Sequence, residues 1–276
     1  MSLLLMLWLS TAIVVPKNVI LVKGATPSAS DASTPLPEQG SVAAGRYRNV
    51  YFGLTYPIPA GWSPQPAGPP PSDGGSYVLA QFAIQRANVL VSAQDLFFSP
   101  RPLAGAKALV ASIREGLKAP FAVEEGDAEV TIGGRAFHRL AYGAPVAGFH
   151  WRVLSTDVRC HALTFTFAGN DVAALDAAER AMSGIALAPA APACVNGYAD
   201  VVEKSEPVFP THRYNTIPVR VIVGSDGRVK HIHLLSAFPE QSQAILEALR
   251  GWRFKPYRRD GKAVPVETGL LFGPAR

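Results

Sequence analysis

The sequence lacks the short motifs that mark the common hydrolases, zinc proteases and nucleotide-binding enzymes. It has no G-x-S-x-G, no H-E-x-x-H and no glycine-rich phosphate loop. Among its six histidines only His231 and His233 share a strand face, and a metal site needs a third ligand that nothing in the sequence supplies. The other four are scattered along the chain at His138, His150, His161 and His212. We therefore expect no catalytic residue, no metal and no cofactor, and we predict that the protein is not an enzyme.

Clustered carboxylates are also scarce. One acidic run stands out, formed by Glu124, Glu125, Asp127 and Glu129. Paired carboxylates can perform acid–base chemistry, but a run this local is typical of a solvated loop face. We interpret it as the surface of a loop that precedes a strand.

Cysteine is nearly absent, with two residues in 276. Cys160 lies on a predicted strand, and Cys194 lies in an Ala/Pro-rich connector. In an oxidising compartment the two can form a bridge that would stabilise the fold by roughly 3–4 kcal/mol. The alternative is two separate thiols, with Cys160 buried as a small apolar side chain.

No block of basic residues is present, although the formal net charge is +5 and the sequence pI is near 9.3. The excess is spread along the chain, which excludes the clustered basic patch that nucleic-acid binding requires. An ordinary solvated surface explains the charge, and attraction to anionic envelope polymers or lipid head groups is the alternative. We expect no nucleic-acid partner.

The chain also lacks an uninterrupted apolar run of the ~20 residues that span a bilayer. Its longest run, residues 3–15, ends at Pro16 and Lys17 and is typical of a secretory signal peptide, with cleavage sites near Gly24, Ala25 and Ala29. The alternative is an uncut anchor in the inner membrane, extended by residues 19–22. Both interpretations of residues 1–25 place the rest of the chain outside the cytoplasm, in the periplasm.

The remaining sequence divides into two predicted domains. Residues 26–44 are rich in Ser, Thr, Pro and Ala and are predicted to be a disordered tether. In residues 45–188 strands and helices do not alternate one for one, which favours an α+β fold with helices packed on an antiparallel sheet. Residues 189–200 form a connector, and residues 201–276 form a smaller domain. A chain that is 48% hydrophobic can bury both cores.

The smaller domain has the most regular pattern. Val219, Val221 and Val223 point to one side of a strand and Arg220 and Ile222 point to the other, and the turn SDGR then leads into a second strand. A helix with an apolar stripe follows and ends near Trp252, and Pro265 places the closing segment at a sheet edge because proline cannot donate to a ladder. The order is strand, turn, strand, helix, strand.

This segment resembles the C-terminal domain of the TonB family, the periplasmic transducers of outer-membrane receptors. The resemblance rests on PVFP, SDGRV, GWRFKP and DGKAVPV. It implies that the last strand binds a short extended peptide from the N-terminal region of a receptor by β-augmentation. The implied peptide-binding residues are Val264, Val266, Glu267, Thr268, Leu270 and Leu271. The alternative is that these residues only complete the small sheet.

The first domain carries a weaker resemblance. Its opening, NVYFGLTYPIPAGW, resembles that of exported α+β domains of the PsbP and Mog1 type, in which a strand ends at a Pro-x-Gly-Trp turn. This resemblance depends on the order of elements and on PAGW, and it implies the fold of this domain.

Two functions follow from these observations. The first is an exported adaptor that recognises an extended peptide, as part of energy-coupled outer-membrane transport; against a direct transfer, the chain lacks the long Pro-Glu and Pro-Lys rod of periplasm-spanning members. The second is an envelope structural or ligand-binding protein with no transducing role. A free edge strand also predicts a homodimer as another use of the same edge.

Overall fold

The computed structural model describes residues 36–99, 104–189, 201–205, 207–209 and 216–273, together with the backbone of residues 19–27. From the N-terminus the elements are β1 (Val19–Pro27), β2 (Gly40–Ala43), β3 (Arg46–Asn49), β4 (Leu54–Pro57), β5 (Ser63–Pro64), β6 (Ser76–Ile84), β7 (Ala87–Asp95), α1 (Ala106–Gly116), β8 (Ala122–Ile132), β9 (Arg135–Ala144), β10 (Phe149–Val158), β11 (His161–Gly169) and α2 (Val172–Ala181). They are followed by β12 (Val201–Glu203), β13 (Ile217–Val223), β14 (Val229–Leu234), α3 (Pro239–Gly251), β15 (Arg253–Phe254), β16 (Arg258–Arg259), β17 (Lys262–Ala263) and β18 (Val266–Phe272).

The first domain is built on a seven-stranded antiparallel sheet in the order β5-β6-β7-β11-β10-β9-β8. Alternate residues of β11, such as Phe165 and Phe167, share one hydrophobic core with Leu175 of α2. On the opposite face, Val153 of β10 packs with Val110 of α1. Helices therefore cover both faces of an antiparallel sheet, and the predicted α+β class is confirmed.

Two local features fix the ends of elements in this domain. Gly133 and Gly134 join β8 to β9 with φ of 57° and 77°, a left-handed conformation that glycine adopts without strain. The side chain of Asp171 accepts a hydrogen bond of 3.0 Å from the amide of Ala174 and so caps α2. The prediction that the acidic run of residues 124–129 lies in a loop was wrong, because the run lies within β8.

The predicted tether, residues 26–44, is ordered at both ends. Residues 26–27 belong to β1, and β2 pairs with β3 from Gly40 to Ala43. All four residues of β2 are exposed, so backbone hydrogen bonds rather than apolar burial hold this strand. A prediction of disorder from the lack of large apolar residues was therefore wrong at both ends of the segment.

The C-terminal domain is a four-stranded antiparallel sheet in the order β1-β18-β13-β14. The predicted order of strand, turn, strand, helix and strand is present, and Gly227 takes the positive φ of 76° expected in the turn. Val219 and Val221 face a core that contains Ile245, Leu249 and Trp252 of α3 and its C-terminus. One face of the sheet is therefore covered by the helix.

The prediction of a free last strand was wrong. β18 lies between β13 and β1, and β1 comes from a part of the chain that local patterns could not connect with it. Pro265, which favoured an edge position, precedes β18 rather than lying within it.

The predicted leader or anchor, residues 1–25, overlaps β1 at residues 19–25, and its apolar run of residues 3–15 lies outside the described residues. None of the helices within the described ranges has the length and apolar character needed to cross a bilayer.

Candidate functional site

The outer edge of β18 is the candidate binding edge, and β1 pairs with it over almost its full length. Val19, Ile20 and Leu21 lie opposite Phe272, Leu271 and Leu270, and after a shift in register Ala25, Thr26 and Pro27 lie opposite Thr268, Glu267 and Val266. Residues 22–24 bulge opposite Gly269. The backbone groups of this edge thus bind an extended antiparallel segment.

The predicted peptide-binding residues do not form one surface. Val266 and Leu270 face the core beneath α3, together with Phe272. Glu267 and Leu271 face the first domain. Thr268 is buried, whereas Val264 lies outside β18 and donates its amide to the carbonyl of Tyr257. What this strand presents along its outer edge is therefore its backbone, and Val264 is not part of that edge.

The face of the C-terminal sheet opposite α3 packs against one end of the first domain. Arg220 of β13 lies opposite Gly269 of β18, and a Cβ atom at Gly269 would lie 2.9 Å from Cζ of Phe98. The guanidinium of Arg220 lies 4.4 Å from the ring centroid of Phe97. The absence of a side chain at Gly269 lets the two domains approach closely.

A buried charge cluster, Asp95, Arg159, Arg220 and Glu267, lies at this contact. Arg220 donates from Nη1 to Oδ2 of Asp95 at 2.6 Å and from Nε to Oε1 of Glu267 at 2.9 Å. Arg159 donates to Oε2 of Glu267 at 3.0 Å, and the hydroxyl of Tyr51 donates to Oε1 of Glu267 at 2.7 Å. Two carboxylates and two guanidinium groups from both domains therefore neutralise one another.

The electrostatics of the cluster favour the charged forms of Glu267 and Arg220, whereas burial raises the pKa of Asp95 in spite of the charge of Arg220. Burial alone would raise the pKa of Glu267, but the charges of Arg220 and Arg159 outweigh burial and lower this pKa to about 2. Burial would lower the pKa of Arg220, and the opposing charge of Asp95 holds it well above its usual value. Because Arg220 is 2% exposed, its charge depends on these two carboxylates.

His231 and His233 share β14, as expected. Nε2 of His233 lies 3.0 Å from Oε1 of Glu38, so this histidine contacts the chain just before β2. Among the described residues, no group of three or more histidines, cysteines or acidic side chains is arranged to hold a metal ion.

Cys160 is buried in the turn between β10 and β11 and takes part in a disulfide. Cys194, its predicted partner, lies outside the described residues. The pairing of these two cysteines stays a prediction.

The geometry of the C-terminal domain agrees with a comparison to known families. Residues 213–272 match the family described as Gram-negative bacterial TonB protein C-terminal. The resemblance to TonB is confirmed for this part of the chain, which contains β13 to β18. The match concerns this C-terminal segment alone and does not extend to the first domain.

A comparison with solved structures finds a distant likeness. The solution structure of cyanobacterial PsbP (CyanoP) from Synechocystis sp. PCC 6803 is 16% identical and covers 56% of this chain and 100% of its own, with a TM-score of 0.38. At this TM-score nothing is drawn from the likeness. No curated protein matches the chain.

The sequence did not predict that the charge cluster assembles. Arg220 was placed on the face of its strand opposite the valines, and a charged residue inside an otherwise apolar strand was the available signal. Asp95, Arg159 and Tyr51 come from distant turns and strand ends, and only the packing of the two domains brings them together.

Proposed function

We propose that this protein is an exported, periplasmic TonB-family adaptor whose TonB-like domain recognises an extended peptide by β-augmentation along β18. The observation that supports the proposal is the antiparallel pairing of β18 with β1, a strand from outside the matched TonB segment. An edge that binds one extended segment through its backbone offers the same donors and acceptors to another.

The partner on this proposal is a protein that presents an extended segment, such as the N-terminal peptide of an outer-membrane receptor. Main-chain hydrogen bonds supply the affinity, so the strand needs no exposed side chain of its own. The role is binding and coupling without catalysis. Energy-coupled transport across the outer membrane is the process in which such an adaptor acts.

The test is a titration followed by amide NMR signals. Isotope-labelled full-length chain and a chain lacking residues 1–27 are each titrated with a synthetic peptide from the N-terminal region of an outer-membrane receptor. We expect shifts along Val266–Phe272 in at least one of the two forms. A matched peptide with prolines at alternate positions is the control, because it lacks the donors that a ladder needs.

Absence of shifts on β18 in both forms would exclude this function and favour the second candidate, an envelope structural or ligand-binding protein with no transducing role. Two observations support that candidate. The charge cluster buries one face of the TonB-like sheet on the first domain. A cleft of about 810 Å³ beside α2 is lined by Arg139, Arg152 and Glu179, among other residues.

A further inference from the structure

We propose that β1 is an internal occupant of the β18 edge, a segment of this chain that takes the place of the partner peptide and must leave before another strand can pair there. This inference rests on the proposed function, because it concerns the same edge. It requires residues 19–27 to stay on the exported chain and outside the bilayer, so it excludes cleavage near Gly24, Ala25 or Ala29 and an anchor extended by residues 19–22. On this inference β1 competes with a partner peptide for the edge of β18. The partner peptide can pair with β18 only after residues 19–27 have detached.

The register of β1 against β18 shows that the outer edge of β18 is occupied. Six residue pairs join β1 to β18, from Phe272 at one end to Val266 at the other. Each backbone N–H and C=O on an outer edge serves one neighbouring strand. A foreign strand therefore cannot use this edge while β1 is paired with it.

The connection between β1 and the two domains is short. Residues 28–35 join Pro27 to Leu36, which at full extension is a reach of roughly 30 Å. Next to Leu36 the chain is fixed to both domains: Asn49 donates from Nδ2 to the carbonyl of Pro37 at 2.7 Å, and Oε1 of Glu38 lies 3.0 Å from Nε2 of His233. A connection of this length corresponds to an effective concentration of β1 on the order of 1 mM at the edge.

The pairing of β18 with β1 is less regular than its pairing with β13. β13 pairs with the inner edge of β18 through seven consecutive residue pairs without a shift in register. The pairing with β1 is interrupted by residues 22–24 and ends at Pro27, which has no N–H to donate. β1 is thus the strand that can detach while the TonB-like sheet keeps its other pairings.

A fluorescent synthetic peptide with the sequence of Val19–Pro27 is the probe for the test. We expect the chain lacking residues 1–27 to bind the probe, and the full-length chain to bind it about ten- to a hundred-fold more weakly. This factor is the ratio of an effective concentration of ~1 mM to a peptide Kd of ~10–100 μM. A scrambled peptide is the control. Thermal melting of both chains checks that the shorter one is folded.

Two point variants of the full-length chain test the strand without truncation. Successive N–H groups of a strand point to opposite sides, so one of Ile20→Pro and Leu21→Pro removes a donor aimed at β18 and the other removes a donor aimed away from it. We expect one variant to bind the probe as tightly as the shortened chain, and the other to bind it more weakly. If both variants bind it as weakly as the full-length chain, the inference is wrong.

The outcomes separate this inference from the proposed function. Equal binding of a receptor peptide to the full-length and shortened chains would overturn the internal occupant and leave peptide recognition standing. Binding of the Val19–Pro27 probe, but of no receptor peptide, to the shortened chain would support the occupant and exclude receptor recognition. Probe binding that weakens as the full-length chain dimerises would assign β1 to a second copy and overturn the intramolecular form.

Discussion

Arg220 is the residue on which the contact between the two domains most depends. It belongs to the TonB-like domain, yet its guanidinium bridges Asp95 of the first domain and Glu267 of its own sheet and lies over the ring of Phe97. Both carboxylates are buried with it. Removing the bridge leaves two buried negative charges with fewer partners, which costs more than the bond itself contributes.

The first prediction is that Arg220→Ala lowers the free energy of unfolding by about 3–5 kcal/mol, the usual cost of breaking a buried ion pair from one side. Urea denaturation measures the effect. The matched control is Lys230→Ala, which breaks the 3.0 Å pair with the half-exposed Asp226. That change should cost less than about 1 kcal/mol. Similar losses for the two variants would show that the cluster is no more important than a surface pair.

The second prediction concerns pH. The pKa of Glu267 falls from 4.5 to about 2 on folding, so its stabilising contribution is present above about pH 4.5 and is lost as the pH falls toward 2. The stability difference between the wild type and Glu267→Gln should therefore shrink by about 2 kcal/mol between pH 7 and pH 3. Urea melts of both proteins across this range measure it. A difference independent of pH would mean that the carboxylate does not titrate as its ion pairs require.

The sequence alone drew attention to two members of the buried charge cluster, Arg220 and Glu267. Alternation placed Arg220 on the side of β13 opposite the valines, and Glu267 was already counted among the residues of the last strand. The contact between Arg220 and Asp95 could not be predicted from the sequence, because it joins residues 125 positions apart across a domain boundary. Glu267 was consequently predicted to bind a partner, although it binds within the chain.

At the scale of the element, β18 is constrained on both faces and both edges. Gly269 sits at the centre of these constraints, opposite the bulge of β1 and against Phe97 and Phe98. A residue with no side chain at this point is needed for the sheet to rest on the first domain.

The third prediction is that Gly269→Ala destabilises the protein by about 1–3 kcal/mol through overpacking. The added Cβ would lie 2.9 Å from Cζ of Phe98 and 3.1 Å from Cβ of Phe97. Gly126→Ala in β8 is the control, since its Cβ would meet nothing within 4 Å. It should leave stability unchanged or raise it by up to about 1 kcal/mol, because alanine restricts the unfolded chain. Thermal unfolding compares the two, and equal effects would contradict the close approach at Gly269.

Elements with a regular apolar period could be predicted, and those held by backbone pairing could not. β13, its turn and α3 follow from the spacing of valines, glycine and leucines. Only the second half of β8 was predicted as a strand. Its first half was missed because Glu124, Glu125 and Asp127 break the alternation of apolar and polar residues, which a strand at the edge of a large sheet does not need. β1 was missed because its apolar residues had already been assigned to a leader or anchor.

At the scale of the whole molecule, the two predicted domains behave as one packed body. Leu235, just after β14, belongs to the same hydrophobic core as Tyr77 and Phe98 of the first domain. The charge cluster lies beside this shared core. The sequence predicted a domain boundary in the connector, and that boundary separates chain segments rather than independent cores.

The last prediction is therefore cooperative opening of the two domains. In the wild type, amide hydrogen exchange should give similar opening free energies for β11, in the first domain, and β13, in the TonB-like domain. Arg220→Ala should separate them, with β13 losing protection by at least about ten-fold more than β11, because the variant removes the link and leaves the first domain's own core in place. Lys230→Ala should keep the two strands together. If β11 and β13 already differ in protection in the wild type, the buried cluster joins two domains that open separately. A peptide bound at β18 would then affect the stability of the TonB-like domain alone.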